Sequence, residues 1–394
     1  MLFQALDDKK DCIGVYAEGE LHFQSLPSNL SHTWDFPTSI CAKNLHLAKI
    51  YCGGKSLTEV CPVHLKPEYD KIHHKMLAFY KSFANSKVSL DEHCFYDLVP
   101  KRSLLEYFSV KNQICESVFE NYEKPENHDF LLKVLRMTKN ISLQEFPLDR
   151  SSLSAHLADQ RVRAFRNSLG EASRVKYEAF GTVTGRLTTA KDSFPILTLD
   201  KKYRKVIKPK NDWLVELDFN AAELRTLLGL SGTSQPQGDI HDWNLKNLFK
   251  NLDIDRAQAK EKIFSWLYNP KSVNKEAERY YCRDELVKKY FDGFKVNTPM
   301  GRKIPADERR ALNYLIQSTS SDVFLNSAYH VWQALEGKKS EVRFLVHDSV
   351  LIDFSEEDRE VLSQVIELFS KTPLGKYKVG VSIGKSYGEM RKMK

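Results

Sequence analysis

The sequence lacks the features that mark membrane, secreted and disulfide-stapled proteins. No window approaches the ~18 uninterrupted apolar residues that a membrane helix needs, and no basic start precedes a long apolar stretch at the N-terminus. The seven cysteines are odd in number and form no CxxC pair, which argues against a disulfide framework or a zinc site. We therefore expect reduced thiols in a soluble cytoplasmic protein without a membrane partner.

Internal repeats and low-complexity tracts are also missing, and the hydrophobic pattern of the sequence changes along its length. Residues 1 to about 55 alternate short apolar runs with turn residues, and residues 65 to 175 show helical periodicity. Beyond 175, strand-like runs alternate with helical segments, which predicts a mixed α+β class. The net charge of +7 suits a polyanionic partner.

Two aspartates stand at the ends of predicted strands. Residues 213–219 read as a buried strand, and Asp218 stands where this strand gives way to a helix. Residues 343–353 are two apolar runs interrupted by His347-Asp348-Ser349, as in a hairpin. If the strands are neighbours, the carboxylates converge, which is costly unless hard divalent cations lie between them. Two magnesium ions so held support phosphoryl transfer. Alone, either aspartate is equally consistent with a simple turn residue.

The segment after Asp218 predicts the start of a helix. Asn220 and Glu223 have the spacing of an N-cap and its reciprocal carboxylate, which is a capping role compatible with a functional one.

A stripe of side chains spaced by four follows further along. It is basic at one end and aromatic at the other, as a nucleotide triphosphate and its base require, although an ordinary amphipathic helix has the same pattern. Its members are Arg256, Lys260, Phe264 and Tyr268.

Two further segments suit DNA. The stripe of Arg309, Asn313 and Gln317 carries hydrogen-bond donors that could test base-pair geometry in the minor groove, or simply face solvent. Residues 200–210 hold six cations among eleven residues, including Arg204. The run predicts salt-sensitive contact with a phosphate backbone, or a solvated face.

Taken in order, these segments resemble family A DNA polymerases, the group of bacterial DNA polymerase I and many phage replicases. The resemblance spans about 220 residues, from about 175 to the C-terminus. It is carried by TGRL at 184–187, DIH at 239–241, DFNAAELR at 218–225, the two stripes and the His347-Asp348 pair.

The resemblance implies a right-hand fold. We expect a helical thumb at 61–175, an antiparallel-sheet palm at 176–235 and 311–394, and helical fingers at 236–310. A small β-rich module at 1–60 is interpreted as a degenerate exonuclease remnant, because residues 1 to about 150 match no editing-exonuclease pattern.

The resemblance also implies site roles. Two Mg²⁺ ions, replaceable by Mn²⁺, would be held by Asp218, Asp348 and the Phe219 carbonyl. Glu223, near Tyr268, would exclude a ribose 2′-hydroxyl. Other dNTP contacts would come from His241, Arg256, Lys260, Phe264 and Tyr268. Contacts to primer-template DNA would come from Arg186, Arg309, Asn313, Gln317 and His347. Implied partners are DNA, dNTPs and a separate exonuclease or processivity factor, in the host cytoplasm for a phage enzyme.

Several positions depart from the family pattern. Ser349 replaces the glutamate usual after His347-Asp348, while Ser265 and Asn269 replace glycines, and Pro270 should end the stripe's helix. Ser349 is shared with single-subunit RNA polymerases of phage type, which leaves that alternative open, although Glu223 opposes it. A non-catalytic DNA-binding protein on a polymerase fold is the second alternative.

Overall fold

The computed structural model describes residues 1–6, 14–23, 25–38, 40, 44–88, 93–170, 172–269 and 271–393. Cys12, Cys41 and Pro270, on which predictions were made, lie outside these ranges. The chain forms two compact units, residues 1–140 and 141–394. The boundary falls inside the segment 61–175 expected to be the thumb, so that assignment stays a prediction.

The first unit combines small strands with two long helices. Its elements are β1 (Phe3–Ala5), β2 (Gly14–Ala17), β3 (Glu20–Phe23), β4 (His32–Thr33), β5 (His46–Leu47), α1 (Ala48–Tyr51), α2 (Leu57–Val60), α3 (Lys66–Asn85), α4 (Lys101–Asn121) and α5 (His128–Ser142).

The core of the first unit forms where α4 meets the antiparallel sheet β1-β2-β3. Phe108 of α4 is fully buried and stacks on Tyr16 of β2, with ring centroids 5.9 Å apart. Proline at the first turn of α3 is compatible with that helix because the first N–H groups of a helix have no intrahelical acceptor. The five cysteines within the described ranges are free thiols.

The second unit contains the remaining strands and helices. Its strands are β6 (Phe146–Pro147), β7 (Ala172–Ser173), β8 (Tyr177–Glu178), β9 (Thr188–Thr189), β10 (Trp213–Phe219), β11 (Lys295–Asn297), β12 (Lys303–Pro305), β13 (Glu341–Val346), β14 (Ser349–Phe354), β15 (Lys371–Thr372), β16 (Gly375–Lys376), β17 (Val379–Gly384) and β18 (Arg391–Lys392). Its helices are α6 (Gln160–Ser168), α7 (Ala222–Ser231), α8 (Ile240–Asn247), α9 (Arg256–Tyr268), α10 (Lys275–Tyr281), α11 (Arg283–Tyr290), α12 (Glu308–Ala334) and α13 (Leu362–Ser370).

Five strands of this unit form one antiparallel sheet in the order β13-β14-β10-β17-β18. Short helices α8 to α11 follow β10 in the chain, and the long α12 leads back to the sheet. The predicted α+β class and the antiparallel sheet are therefore confirmed. No helix in the described ranges is long and apolar enough to cross a membrane.

The two faces of β10 meet different surroundings, since side chains alternate along a strand. On one face Phe219 stacks on Phe369 of α13, with centroids 4.3 Å apart. On the other face Leu214 is fully buried, Glu216 is half-buried and Asp218 is exposed. This second face therefore runs from a hydrophobic core into an open cleft.

Candidate active site

The strands β10 and β14 bring the two predicted aspartates together. Asp218 pairs directly with Ser349, and the Phe219 N–H donates a hydrogen bond of 3.3 Å to the Asp348 carbonyl. His347 and Asp348 form the tight turn between β13 and β14, and His347 has a positive φ of 56°. The predicted hairpin and the predicted neighbouring strands are both present.

The surroundings of Asp218 and Asp348 disfavour the ionised form of both carboxyl groups. Partial burial in the cleft raises the pKa of Asp218 to about 7, and repulsion from Asp348 and Glu216 adds to the rise, while Lys392 and Lys201 oppose it. Burial also raises the pKa of Asp348, and Glu223 contributes. Two carboxylates that repel each other at one point are suited to a bound cation, because its charge removes that repulsion.

The donor set fits a hard divalent cation. The carboxylates of Asp218, on β10, and Asp348, in the adjacent turn, offer the oxygen ligands that magnesium prefers. Magnesium keeps several waters rather than requiring an all-protein cage. No group of three or more His, Cys, Asp and Glu side chains in the described ranges is arranged to hold a metal. Asp218, Asp348 and the Phe219 carbonyl all stay predicted ligands.

A cleft of about 540 Å³ opens above Asp218. It gathers most of the predicted nucleotide contacts in one place, although they come from three helices, α7, α8 and α9. Its lining consists of Lys201, Asp218, Phe219, Asn220, Ala221, Ala222, Glu223, His241, Arg256, Lys260, Phe264, Asp348 and Lys392.

The predicted capping role of Asn220 and Glu223 is wrong. The N-cap of α7 is Ala221, in left-handed conformation and without a side-chain cap. The Asn220 side chain instead donates to Asp239 and accepts from the Ile240 N–H, so it ties β10 to the start of α8. This long-range bond has no signal in the local sequence.

Asp239 organises the cationic side of the cleft. Its carboxylate caps α8 and accepts a 2.6 Å hydrogen bond from Arg256. Although burial raises the pKa of Asp239, hydrogen bonds from Arg256 and Asn220 hold it well below its usual range. Burial lowers the pKa of His241 to about 4, against the pull of Asp239 and with help from Lys260. His241 is therefore neutral at pH 7, and its buried Nδ1 has no partner within the described residues.

Glu223 lies between two other predicted residues. Its carboxylate accepts a hydrogen bond of 2.8 Å from Arg186 and one of 2.5 Å from the Tyr268 hydroxyl. Burial and the Glu223 charge both raise the pKa of Tyr268. Tyr268 also stacks on Phe264 one turn earlier in α9, with centroids 6.2 Å apart. Glu223 is thus fixed at the edge of the cleft by side chains from two other segments.

Two further cavities adjoin this region. One of about 550 Å³ shares Glu223 and Asp348 with the cleft and is also lined by Arg186 and His347. Another of about 360 Å³ lies between α9, α11 and α12, where Arg309 and Asn313 join Tyr268. Gln317 is half-buried two turns along α12 from Arg309. The five predicted DNA contacts other than Arg204 thus lie at these cavities or on α12.

Arg204 packs within the protein. Its guanidinium donates to the Tyr387 hydroxyl at 2.9 Å and lies 4.6 Å from the centre of that ring. Part of the basic run forms a short 3₁₀ helix, Lys201–Val206.

Several functional neighbours escaped the sequence interpretation. Arg302, beside β12, binds the fully buried Asp322 of α12 through hydrogen bonds of 2.8 to 3.0 Å and packs against Gly185. Arg225 is fully buried and donates to the carbonyls of Asn220 and Gly238. The arginines are ordinary helix and turn residues in sequence, so only their burial reveals these roles.

Comparisons with known proteins agree with this architecture. No family model matches the chain. It is 23% identical over 267 residues to "DNA polymerase I" of Borreliella burgdorferi, covering 53% of this chain and 29% of that protein. It is 26% identical over 233 residues to the "DNA polymerase" of Mycobacterium phage D29, covering 46% of this chain and 38% of that protein. The chain thus spans well under half the length of these curated relatives.

A solved structure gives the fold. The POL domain of Pol1 from M. smegmatis, in complex with DNA primer-template and dNTP, superposes with a TM-score of 0.57 at 14% identity, over 73% of this chain and 76% of that one. The fold is therefore that of a polymerase domain. In this chain the two aspartates lie together beside the five-stranded sheet, at the floor of a cleft that also contains basic side chains. The relatives in sequence and this structural neighbour together support a family A DNA polymerase-like protein.

Proposed function

We propose that this chain extends the 3′ end of a DNA primer with dNTPs under the direction of a template strand. The observation that carries the proposal is the adjacency of Asp218 and Asp348 at the floor of a cleft that also holds Arg256, Lys260 and Phe264. Carboxylates that bind metal, cations that bind phosphate and a ring that stacks on a base are the three requirements of nucleotidyl transfer.

The residues of the cleft have different roles in the proposed reaction. Mg²⁺ ions, with Mn²⁺ as a substitute, would be held by Asp218, Asp348 and the Phe219 carbonyl, and would activate the primer hydroxyl and neutralise charge on the transferred phosphoryl group. Arg256 and Lys260 bind the triphosphate.

His241 and the aromatic residues complete the nucleotide site. His241 offers it a neutral imidazole, because its pKa lies far below 7. Phe264 provides a flat face for the nucleotide, and Glu223 closes the site on the side of the sugar 2′ position.

The neighbouring cavities suit primer and template. We assign Arg186 and His347 to the primer side, and Arg309, Asn313 and Gln317 to the template side. Donors on α12 can contact minor-groove acceptors that hardly differ between base pairs, so geometry rather than sequence is tested. We assign palm, fingers and thumb to the ranges expected from sequence. The D29 relative favours a role in phage DNA replication, for which a separate chain would supply exonuclease or processivity functions.

RNA synthesis is the second candidate, favoured by Ser349. The Ser349 hydroxyl donates to the Val346 carbonyl at 3.0 Å and to the Glu216 carboxylate at 3.3 Å. A serine at this position supplies no carboxylate to the cleft. Against RNA synthesis stands Glu223, which is held in place by Tyr268 and Arg186 and crowds a 2′-hydroxyl. A non-catalytic DNA-binding role is disfavoured because both aspartates are retained.

Extension of a labelled primer with magnesium tests the proposal. We expect efficient dNTP incorporation, lowered at least about 1000-fold in Asp218→Asn and Asp348→Asn, with primer-template affinity nearly unchanged. Asp192→Asn is the matched control, since this exposed carboxylate pairs with Lys176 outside the cleft lining. Efficient unprimed RNA synthesis would favour the second candidate, and DNA binding without any extension would favour the third.

A further inference from the structure

Two lysines in the cleft have no role in the assignments above. Lys201 and Lys392 line the same cleft as Asp218, Arg256 and Lys260 although they are almost 200 residues apart in the chain. Both side chains are exposed, and neither forms an ion pair within the described ranges.

The sheet register explains how Lys392 reaches the cleft. Glu216 of β10 pairs with Ser382 of β17, and Ser382 pairs with Lys392 of β18. Directly paired residues project from the same face of a sheet, and Asp218 shares that face with Glu216. Lys392 therefore lies in the same cross-strand row as Glu216 and on the same face of the sheet as Asp218. A one-residue shift of β18 would turn Lys392 to the other face.

The basic run holds β18 in this register. Arg204 stacks on Tyr387, the Tyr387 N–H donates to the Ile207 carbonyl, and Lys205 pairs with Glu389 at 3.3 Å. A Cβ at Gly388 would lie 2.4 Å from the Lys205 side chain, so the two segments are in close contact. The 3₁₀ helix and the C-terminal turn thus form one support that places Lys201 and Lys392 together.

The charges in the cleft show what these lysines can bind. Arg256 is already paired with Asp239 and Asp242, whereas Lys201, Lys260 and Lys392 carry unpaired charges within the described ranges. A nucleotide triphosphate carries several negative charges, and unpaired ammonium groups beside the metal ligands can hold its phosphate oxygens through charge-assisted hydrogen bonds.

We propose that Lys201 and Lys392 form a second phosphate-binding subsite, on the palm sheet, for the triphosphate of the incoming nucleotide and for the pyrophosphate product. The subsite rests on the proposed polymerase function and deepens it. It adds two cations to those of α9 and gives the basic run a defined purpose, which is to position phosphate-binding lysines at the active site.

The test compares nucleotide and DNA affinities in the full chain. Single-turnover extension gives the dNTP Kd, and we expect it to rise about five-fold in Lys201→Ala and in Lys392→Ala, with a larger rise in the double variant. Inhibition by pyrophosphate should weaken in parallel. Lys392→Arg should restore most of the affinity. Lys376→Ala is the matched control because this exposed lysine pairs with Glu367 and does not line the cleft.

Direct binding of inorganic tripolyphosphate with magnesium, measured by calorimetry, separates this subsite from the proposed function. Weaker binding in the two alanine variants supports the subsite even if the wild-type chain extends no primer. An unchanged Kd for both dNTP and tripolyphosphate, in variants with wild-type unfolding midpoints, overturns it. A rise in the primer-template Kd with unchanged dNTP Kd also overturns it and assigns the lysines to the DNA backbone.

Discussion

The Tyr268 hydroxyl donates a hydrogen bond of 2.5 Å to the Glu223 carboxylate, joining the end of α9 to the start of α7. Glu223 is mostly buried, at 20% side-chain exposure, and its other oxygen accepts from Arg186. A carboxylate held from both sides has little freedom to move away from a nucleotide sugar. Under the proposed function, this fixed carboxylate would select between deoxyribose and ribose through a rigid contact.

Removal of the Glu223 carboxylate should relax sugar selection. In Glu223→Ala we expect the preference for dNTP over rNTP, measured as a ratio of kcat/KM values, to fall about 10- to 100-fold, because ~1.4–2.8 kcal/mol of discrimination is lost. Extension with dNTP should continue. Tyr268→Phe is the control, since it keeps the ring and the carboxylate but removes one hydrogen bond, and its effect should be smaller. Unchanged sugar selectivity in Glu223→Ala would contradict the assignment.

The sequence predicted the local part of this site and missed the long-range part. Strand β10 spans the predicted apolar run 213–219, and the predicted stripe that begins at Arg256 lies on one helix, α9. Both predictions succeed because hydrophobic pattern and residue spacing indicate local structure. Asn220 was misassigned as a cap because its partners, Asp239 and Ile240, lie about 20 residues away. Local spacing cannot report such contacts.

The lysines of the palm subsite escaped prediction for a related reason. The basic run was recognised by composition, but composition does not reveal that Arg204 turns inward while Lys201 enters the cleft. The position of Lys392 depends on the pairing of β18 with β17, and the two-residue strand β18 has almost no sequence signature. Sheet register is a tertiary property, so the face on which a short edge strand places its side chains requires the structure.

Gly185 supports the primer side of the site by its lack of a side chain. It has a φ of +76°, and a Cβ there would lie 2.4 Å from the Arg302 guanidinium carbon. Arg302 in turn binds Asp322, which is fully buried. Burial raises the pKa of Asp322 and Arg302 opposes the rise, so displacing Arg302 would leave a buried carboxylate without its partner.

Gly185→Ala should therefore destabilise the protein by about 3 kcal/mol or more, since the loss of a buried ion pair adds to the backbone strain. Gly232→Ala is the matched control, because Gly232 has a similar φ of +72° but open space around its Cβ position. Its cost should be only about 1 kcal/mol. Urea unfolding of both variants measures the difference, and equal destabilisation would show that Gly185 matters only for its backbone angle.

Magnesium affinity should depend on pH through Asp218. Partial burial and repulsion from Asp348 raise the pKa of this carboxyl to about 7, so below pH 7 a proton competes with the cation. We expect the magnesium Kd to rise up to about tenfold per pH unit below 7 and to level off above about 8. Calorimetry in buffers of different ionisation enthalpy should detect proton release on binding near pH 6.5.

The ionisation of Asp218 should also affect the stability of the metal-free protein, but in the opposite direction: a higher pH favours magnesium binding and disfavours folding. Because the folded pKa of Asp218 lies above the unfolded value of 3.8, the folded state binds the proton more tightly, and stability falls as pH rises from about 4 to 7. Magnesium should reverse this trend above pH 7 by binding the ionised form. Asp218→Asn should remove both the slope and the magnesium effect, as measured by unfolding midpoints at pH 6 and pH 8. A magnesium stabilisation that persists in this variant would place the cation elsewhere.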